Sequence, residues 1–412
     1  MAQINLPLDI NSLEIIAQSI DTKGNIILDV VSKNANSTCH KCGKPATKKN
    51  GTAPTRLIRH LPILDTPVYL RITPIRYSCD FCDDHTTTTE QYDWCDRNAS
   101  TTKGLEEYLM RSLIHSTVAD VARKDVIGAD TVQGVLTRQI NTTVDWIKVP
   151  NLETIGIDEI ALKKGHDSYV TIISAKPKNS GVIVIAVLEG REKDTVKSFL
   201  TNIPNHLKQT VVQVCTDMYD GFVNAAIEVF GAQSLVIDRY HVAKLYRKPL
   251  DKLRTQEMAR LKLELPTEEY ARLDGMMWIL RKNHECLSEA NKASLELLYK
   301  YSPALKKAHS HALRLTHIFN THTNKKSAIS KINRWVTSVQ KSGIRIFDTF
   351  MTTLNKYKPY IGNYFKARKN SGFVEGLNNK IKVLKRRCYG LFQTESLFQR
   401  LFLDLQGYEY YA

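Results

Sequence analysis

Three acidic residues lie where a carboxylate could bind a metal ion. Asp158 and Asp217 each follow a short apolar run, and Glu375 is a lone acid in a basic helical stretch that ends at Arg387. A basic segment that binds phosphate gains nothing electrostatically from an acid unless the acid holds something a base cannot, such as a divalent cation. Together the three carboxylates could hold two metal ions over a scissile phosphate.

Other acids compete with these three, because an acid at the end of a strand is usually a cap or a turn residue. Asp220 is the most serious competitor, since it lies one turn from Asp217, and the others are Glu159, Asp167 and Asp238. His241 follows the last predicted strand, so it is either a structural histidine or a group near the site.

Two Cys-x-x-Cys pairs lie in the first hundred residues: Cys39, Cys42, Cys79 and Cys82. Four thiolates in two such pairs are typical of a closed tetrahedral zinc site, which compensates for a small hydrophobic core. The pairs are further apart than the common spacing of about 15–20 residues, so the prediction depends on the doubled pair and the turns around it. His40, His85 and Cys95 are the alternative ligands.

The composition favours a polyanionic partner. The chain has 412 residues, 58 Lys and Arg against 42 Asp and Glu, and a formal net charge of +16. This excess indicates nucleic acid before membrane. Apolar runs are too short for the roughly 18–20 residues that span a bilayer, and the N-terminus carries no signal pattern. Five of the eight cysteines cluster near the two pairs, which favours a metal site in a reducing compartment. We therefore expect a cytoplasmic, nucleoid-associated protein.

Periodicity divides the chain into three domains. Short alternating apolar stretches broken by Gly and Pro predict a small β-rich zinc-binding domain over residues 1–98. Helical spacing over about 101–140, with a turn at Gly128, predicts a helix-turn-helix domain over 99–148, although a plain helical connector has the same pattern. Its second helix carries side chains able to contact base edges or phosphates, namely Gln133, Thr137 and Arg138.

The rest of the chain, residues 149–412, predicts a mixed five-stranded sheet with helices. Strands are expected at 154–158, 169–175, 182–188, 211–215 and 235–238, with helices at about 193–207 and 221–230. An all-helical insertion follows at about 245–360, then the Glu375 helix and an amphipathic tail over 391–405. An acid on the first of three consecutive strands, a second after the fourth and a third on a later helix is the layout of a ribonuclease H-like catalytic core.

The helix around Glu375 carries residues that could contact DNA. Its cations cannot all face one side, so some are merely solvated, whereas those beside Glu375 would neutralise backbone phosphates. Two asparagines could orient DNA or water near the metal. The candidates are Asn378, Asn379, Lys380, Lys382, Lys385, Arg386 and Arg387.

With these motifs the chain resembles the DDE transposases of bacterial insertion sequences, most closely the ISL-three family. The resemblance rests on the two cysteine pairs, on Gly156-Ile-Asp-Glu-Ile, on Asp238-Arg-Tyr-His-Val, and above all on Ser371-Gly-Phe-Val-Glu-Gly-Leu-Asn-Asn-Lys-Ile-Lys followed by Lys385-Arg-Arg-Cys-Tyr-Gly. It covers nearly the whole chain. It implies a zinc-binding domain, a helix-turn-helix and a catalytic domain interrupted before its glutamate. Phe373 departs from the small polar residue or asparagine-glycine pair expected there.

The resemblance implies that Asp158, Asp217 and Glu375 are the catalytic triad and bind Mg²⁺ or Mn²⁺. The expected activity is binding of the element's terminal inverted repeats, then DNA cleavage and strand transfer, by at least a dimer assembled on double-stranded DNA. Two other functions remain open: a catalytically inactive DNA-binding repressor or remnant, and a ribonuclease H-like nuclease for branched or hybrid nucleic acid.

Overall fold

In the computed structural model, the short apolar and polar stretches of the N-terminal region form β-strands. The structure describes residues 8–162, 169–282, 284–367, 372–391 and 393–411. The chain forms two compact units, of which the first comprises Met1–Thr142, Arg387–Tyr389 and Gln399–Ala412 and the second comprises Thr143–Arg386 and Gly390–Phe398. No helix among the described residues has the length and apolar character that crossing a membrane requires.

The first unit begins with nine strands in three sheets. Strand order is β1-β2-β7-β6 in the largest sheet, β5-β8-β9 in the second and β3-β4 in the smallest. Inward-facing Leu28, Val30, Ile58, Val68 and Leu70 form the core of the largest sheet. The bounds are β1 Leu13–Ile20, β2 Ile26–Ser32, β3 Ser37–Thr38, β4 Pro45–Ala46, β5 Lys48–Thr52, β6 Arg56–Ile63, β7 Thr66–Ile72, β8 Ile75–Ser78 and β9 Thr87–Thr89.

Three helices follow: α1 Lys103–Leu113, α2 Val118–Lys124 and α3 Ala129–Gln139. Threonine side chains cap the first two, since Thr102 Oγ1 accepts from the backbone N–H of Leu105 and Thr117 Oγ1 from that of Asp120. Apolar residues at helical spacing meet in a single core, which also includes Leu403 from the C-terminal helix.

The second unit is built on a five-stranded mixed sheet of order β12-β11-β10-β13-β14. Its strands are β10 Thr154–Ala161, β11 Tyr169–Lys176, β12 Ile183–Glu189, β13 Gln213–Thr216 and β14 Leu235–Ile237. Strands β10, β11 and β12 are antiparallel neighbours, whereas β13 runs parallel to β10 and β14 parallel to β13. The sheet is nearly continuous in apolar residues, as expected for strands covered on both faces.

The helices that join these strands are α4 Lys193–Asn202, α5 Asn205–Lys208 and α6 Asp220–Phe230. The prediction of one helix over 193–207 was wrong, because Pro204 interrupts it. Proline disfavours helical backbone in the residue before it, and Ile203 is extended, with φ −59° and ψ 133°.

A set of helices separates β14 from the helix that carries Glu375: α7 Arg239–Glu264, α8 Thr267–Ala271, α9 Met276–Ile279, α10 Glu289–Tyr301, α11 Pro303–Asn320, α12 Lys325–Lys341 and α13 Asp348–Ala367. Trp335 lies at their centre with Phe347 and Phe350 rings 5.9 Å away, and its indole N–H donates to the carbonyl of His311. Helix α13 returns to the sheet, where the Asn363 amide donates to the carbonyls of Ala232 and Leu235.

Helix α14, Gly372–Arg387, lies along β10, and α15, Thr394–Tyr411, ends the chain. A Cβ added to Gly156 on β10 would lie 2.6 Å from Val374 Cγ2, and at the other end Lys385 Nζ donates to the carbonyls of Ala161 and Leu162. Helix and strand therefore run side by side, and glycine at position 156 permits their close approach.

Replacing Gly156→Ala should destabilise the protein by about 1–3 kcal/mol, because the new methyl group overlaps Val374 and Ser174. Gly376→Ala on α14 is the matched control, since a Cβ there meets open space. In a helix that change is worth up to about 1 kcal/mol in the stabilising direction. Urea unfolding of both variants tests the packing, and equal stabilities would contradict it.

Candidate active site and zinc site

Parallel pairing places three acids side by side at one edge of the sheet. Ile157 on β10 pairs with Thr216 on β13, and Thr216 pairs with Ile237 on β14. The residue that follows each of these three is an acid: Asp158, Asp217 and Asp238. Neighbouring strands are about 4.8 Å apart, so the register brings these side chains together.

These acids line one narrow crevice. Asp158, Asp217, Asp238 and His241 form its polar wall, and Val374 from α14 contributes an apolar one. Asp158 and Asp238 are buried and Asp217 is half-buried. The structure therefore brings Asp158 and Asp217 together, as their positions in the sequence predicted, and adds His241, whose place the sequence left open.

Burial raises the pKa of the Asp158 carboxyl above its ordinary value, although the hydrogen bond from the Asn378 amide acts in the opposite direction. Burial also raises the pKa of Asp217, whose Oδ1 accepts from the backbone N–H of Tyr219 at 2.9 Å. Within the described residues neither carboxylate forms an ion pair. The imidazole of His241, when protonated, acts to lower both pKa values, but neither carboxylate has a Lys or Arg partner among the described residues. Buried carboxylates with so little compensation favour a bound metal ion.

The competing acids have partners of their own. Glu159 accepts from Arg191 at 3.0 Å, and Asp220 pairs with Lys356 at 2.5 Å while also accepting from the Tyr357 hydroxyl. Asp238 caps helix α7 by accepting from the backbone N–H of Tyr240 at 2.8 Å. Asp167 lies outside the described residues.

Glu375 is half-buried in the first turn of α14 and accepts no hydrogen bond from any described residue. One turn further along, Asn378 donates from its amide to Asp158 Oδ2. Helix α14 is thus tied to Asp158 by a neighbour of Glu375. Among the described residues, the ligand atoms of Asp158, Asp217 and Glu375 are not all within 4.8 Å of one another, since only a cysteine cluster meets that criterion.

The predicted DNA-binding residues fall into two groups. Some already bind protein groups: Arg138 pairs with buried Glu106 at 2.7 Å, Arg387 pairs with buried Asp404, and Lys385 binds two carbonyls. Asn378 donates to Asp158, and Thr137 Oγ1 donates to the carbonyl of Gln133 while accepting from the Gln133 amide at 3.3 Å. By exposure, Lys380 is half-buried, and the exposed candidates are Gln133, Thr137, Asn379, Lys382 and Arg386.

Arg191 is a residue near the site that sequence reasoning missed. Its guanidinium lies 4.8 Å from the centre of the Tyr169 ring and 5.1 Å from that of Tyr219, and it pairs with Glu159. Both Glu159 and Tyr219 are bonded through their backbone N–H groups to the crevice acids. The available signal was weak, a single arginine after Gly190 at the end of a predicted strand.

The second cluster consists of the four predicted cysteines, whose sulfur atoms all lie within 4.8 Å of one another. Cys39 and Cys82 are 3.9 Å apart and Cys42 and Cys79 are 3.5 Å apart. Tetrahedral zinc with Zn–S bonds of about 2.3 Å requires sulfur separations of about 3.8 Å, so the cluster fits this ion. Hydrogen bonds from the backbone N–H groups of Cys42 and Lys41 lower the pKa of Cys39 to about 6, whereas burial raises the pKa of Cys79 and that of Cys82, the latter to about 12. In the absence of metal the thiolate is therefore favoured at Cys39 first.

The alternative zinc ligands are otherwise engaged. His40 Nδ1 shares a 2.9 Å hydrogen bond with Thr88 Oγ1, and the Cys95 thiol donates to backbone carbonyls, of which that of Thr101 is 3.5 Å away. His85 lies in a turn with φ +47° and is absent from the cluster of candidate ligands. The four-cysteine set is therefore the one that the fold assembles.

The chain belongs to the ISL-three family of DDE transposases. The family model described as "Transposase" matches residues 155–401, which begin on β10 beside Asp158 and extend past Glu375. A second model, the zinc-finger of transposase IS204/IS1001/IS1096/IS1165, matches residues 35–82 and so contains all four cysteines. The protein is thus a transposase, an enzyme class that cleaves and transfers DNA strands, with a structural zinc site.

Two curated relatives are similar over most of their length. The transposase for insertion sequence element IS1001 of Bordetella parapertussis is 28% identical over 368 residues, covering 88% of this chain and 87% of the relative. The transposase for insertion sequence element IS1557 of Mycobacterium tuberculosis is 24% identical over 390 residues, covering 90% and 86% respectively.

Replacing Cys42→Ser should remove most of the bound zinc, because three thiolates hold the ion less tightly than four and the released cysteines no longer order the turns. Zinc content per chain after dialysis against a weak chelator, measured by mass spectrometry, checks this. Cys286→Ser is the control, since Cys286 is exposed and lies outside the cluster. Full zinc retention by Cys42→Ser would exclude the four-cysteine site.

In EDTA, Asp217→Asn should raise the free energy of unfolding at pH 7.5, because burial penalises the charged carboxylate. The asparagine side chain keeps an oxygen that can accept the hydrogen bond from the backbone N–H of Tyr219. The folded-state pKa is raised, so wild type regains stability as pH falls through that pKa towards the ordinary value of 3.8, and the difference from the variant shrinks. Urea unfolding at pH 7.5 and pH 5 checks the sign, and a gap that widens at pH 5 would contradict it.

Proposed function

We propose that this transposase binds the terminal inverted repeats of its insertion sequence, cleaves a DNA strand at each end and transfers the freed 3′-hydroxyl to target DNA. Asp158, Asp217 and Glu375 are the proposed catalytic residues. The observation that carries the proposal is that Asp158 and Asp217 lie together at one end of the strands with no Lys or Arg partner among the described residues, while neighbouring Glu159 and Asp220 both have one.

We infer a ribonuclease H-like catalytic core from the strand arrangement. Three antiparallel strands are followed by two that run parallel to the first, and the two aspartates lie on the first and just after the fourth. Helix α14 brings the third acid beside β10 after the helical insertion. This supports the order of acids that the sequence suggested.

The carboxylate oxygens suit Mg²⁺ or Mn²⁺, which are hard cations that prefer oxygen ligands. When bound, such ions stabilise the negative charge that develops on the attacking and leaving oxygens of the phosphodiester. The chain itself supplies positioning: the Asn378 amide orients the Asp158 carboxylate, and the Tyr219 N–H fixes Asp217. Asp158, Asp217 and Glu375 would hold these ions.

For DNA recognition we assign residues 1–98 to a zinc-binding domain, 99–148 to a helix-turn-helix and 149–412 to the catalytic domain with its insertion at about 245–360. The exposed Gln133 and Thr137 on α3 are the proposed base-reading side chains, and Lys382 and Arg386 on α14 the proposed phosphate ligands. Synapsis of two ends requires at least a dimer on DNA. We place this activity in the bacterial cytoplasm, at the nucleoid.

Glu375→Gln should lower strand cleavage by at least about a thousandfold, equivalent to about 4 kcal/mol of transition-state stabilisation. The assay uses purified protein and DNA carrying the ends that flank its own gene, with Mg²⁺ or with EDTA. Cleavage at the element boundary should need the metal and be lost in the variant, while end binding in EDTA should persist.

Asp220→Asn is the matched control, because this acid lies close in sequence to Asp217 but pairs with Lys356 on the surface. Its activity should stay within about threefold of wild type, since exposed pairs contribute little to stability. Tight end binding without cleavage by wild type would favour the inactive DNA-binding protein. Cleavage that survives Glu375→Gln would remove Glu375 from the proposed site.

A further inference from the structure

The helical insertion encloses a cavity of about 610 Å³ that is separate from the acid crevice. Helices α7, α9 and α11 line it, and its volume is within the range of about 300–1,000 Å³ typical of small-molecule sites. Its wall carries five Lys or Arg side chains against two acids, Asp251 and Glu285. The cavity therefore has an excess of positive charge.

Much of this positive charge is not neutralised. Asp251 accepts from Arg254 at 2.8 Å and from Arg281 at 3.5 Å, so it neutralises one of these two arginines and leaves the charge of the other. Arg247 and Lys282 are exposed at the mouth, and neither has an acidic partner among the described residues. The Arg281–Asp251 pair joins the two segments that carry Lys282 and Arg247, and both cations line the same cavity. This arrangement suits a phosphate group.

The inner surface is apolar instead of charged. Leu250, Leu280 and Ala312 are buried there, and the Tyr246 ring beside them has its hydroxyl bonded to Thr316 Oγ1 at 2.8 Å. This surface can take a flat apolar group, while the Thr316 and Tyr246 oxygens offer polar contacts at its edge. A cationic mouth above an apolar floor matches a ligand with one phosphate and one heterocycle.

We propose that this cavity binds a nucleotide, with its base on the apolar floor and its phosphate at Arg247 and Lys282. The nucleotide is either an unpaired one in the bound DNA or a free nucleoside phosphate. The first source rests on the proposed function. It is supported by the place of Arg239, which lines the cavity and directly follows Asp238 of the acid crevice on the first turn of α7.

The test measures binding to the full-length protein in EDTA, so that cleavage does not interfere. Isothermal titration with deoxyadenosine 5′-monophosphate, with deoxyadenosine and with inorganic phosphate examines the free source. Duplexes of one sequence, with and without a single unpaired nucleotide, examine the DNA source. The variant combines Arg247→Ser and Lys282→Ser, and Lys307→Ser is the control, since Lys307 is exposed on α11 outside the cavity.

A free-nucleotide site predicts that the monophosphate binds more tightly than either of its parts and that the double variant weakens it at least about tenfold. A DNA site predicts that the monophosphate does not bind. The double variant should then bind the duplex with the unpaired nucleotide at least about tenfold more weakly than wild type, with a much smaller change for the fully paired duplex. Lys307→Ser should leave all values unchanged. Thermal unfolding of the double variant should match wild type, because both residues are exposed.

The inference is overturned if the monophosphate does not bind and the double variant weakens both duplexes equally, since the two cations would then be a general phosphate-binding surface. It is also overturned if the double variant binds the monophosphate and both duplexes with the same affinity as wild type. Metal-dependent cleavage that still requires Glu375 would, in either case, leave the proposed catalytic site intact. A change in where the double variant cleaves DNA cannot be mistaken for a change in its affinity, because affinity is measured in EDTA, where no cleavage occurs.

Discussion

The parallel register of β10, β13 and β14 is the constraint on which the site depends. Because Ile157, Thr216 and Ile237 are paired across the sheet, the residue that follows each must lie at the same edge. Backbone hydrogen bonds fix this register, and a shift by one residue would turn the acids to the opposite face. Burial of the apolar side chains of the sheet stabilises the fold and offsets the electrostatic repulsion between the neighbouring carboxylates.

The same constraint explains why the other charged groups of the region occur in pairs. A sheet edge crowded with carboxylates is tolerable only if most are neutralised or hydrogen-bonded. Arg191 and Lys356 neutralise two neighbours, and Asp238 uses its oxygen as a helix cap. Among the described acids of this region, Asp158 and Asp217 have no Lys or Arg partner, and this distinguishes them from Glu159 and Asp220.

The sequence was sufficient for the five strands of the second unit in their chain order, because apolar runs and turn residues mark them locally, but it missed the break at Pro204 between α4 and α5. It was sufficient for the four cysteines as well, since paired spacing is a strong local signal. It was not sufficient for the partners of individual side chains. Arg138 and Glu106 are 32 residues apart and Asn378 and Asp158 are 220 apart, and no local pattern reports such a contact. The sequence therefore indicated that only some of the polar residues on α3 and α14 contact DNA, but could not tell which of them the fold already uses.

Strand β14 is the last strand on its side of the sheet, and an uncovered strand of that kind readily pairs with a strand from another molecule. The Asn363 amide of α13 occupies two carbonyl groups there, those of Ala232 and Leu235. Helix α13 thus covers this edge of the sheet. A chain that lost α13 would have to cover that edge in some other way, so this helix has a structural role that is independent of DNA.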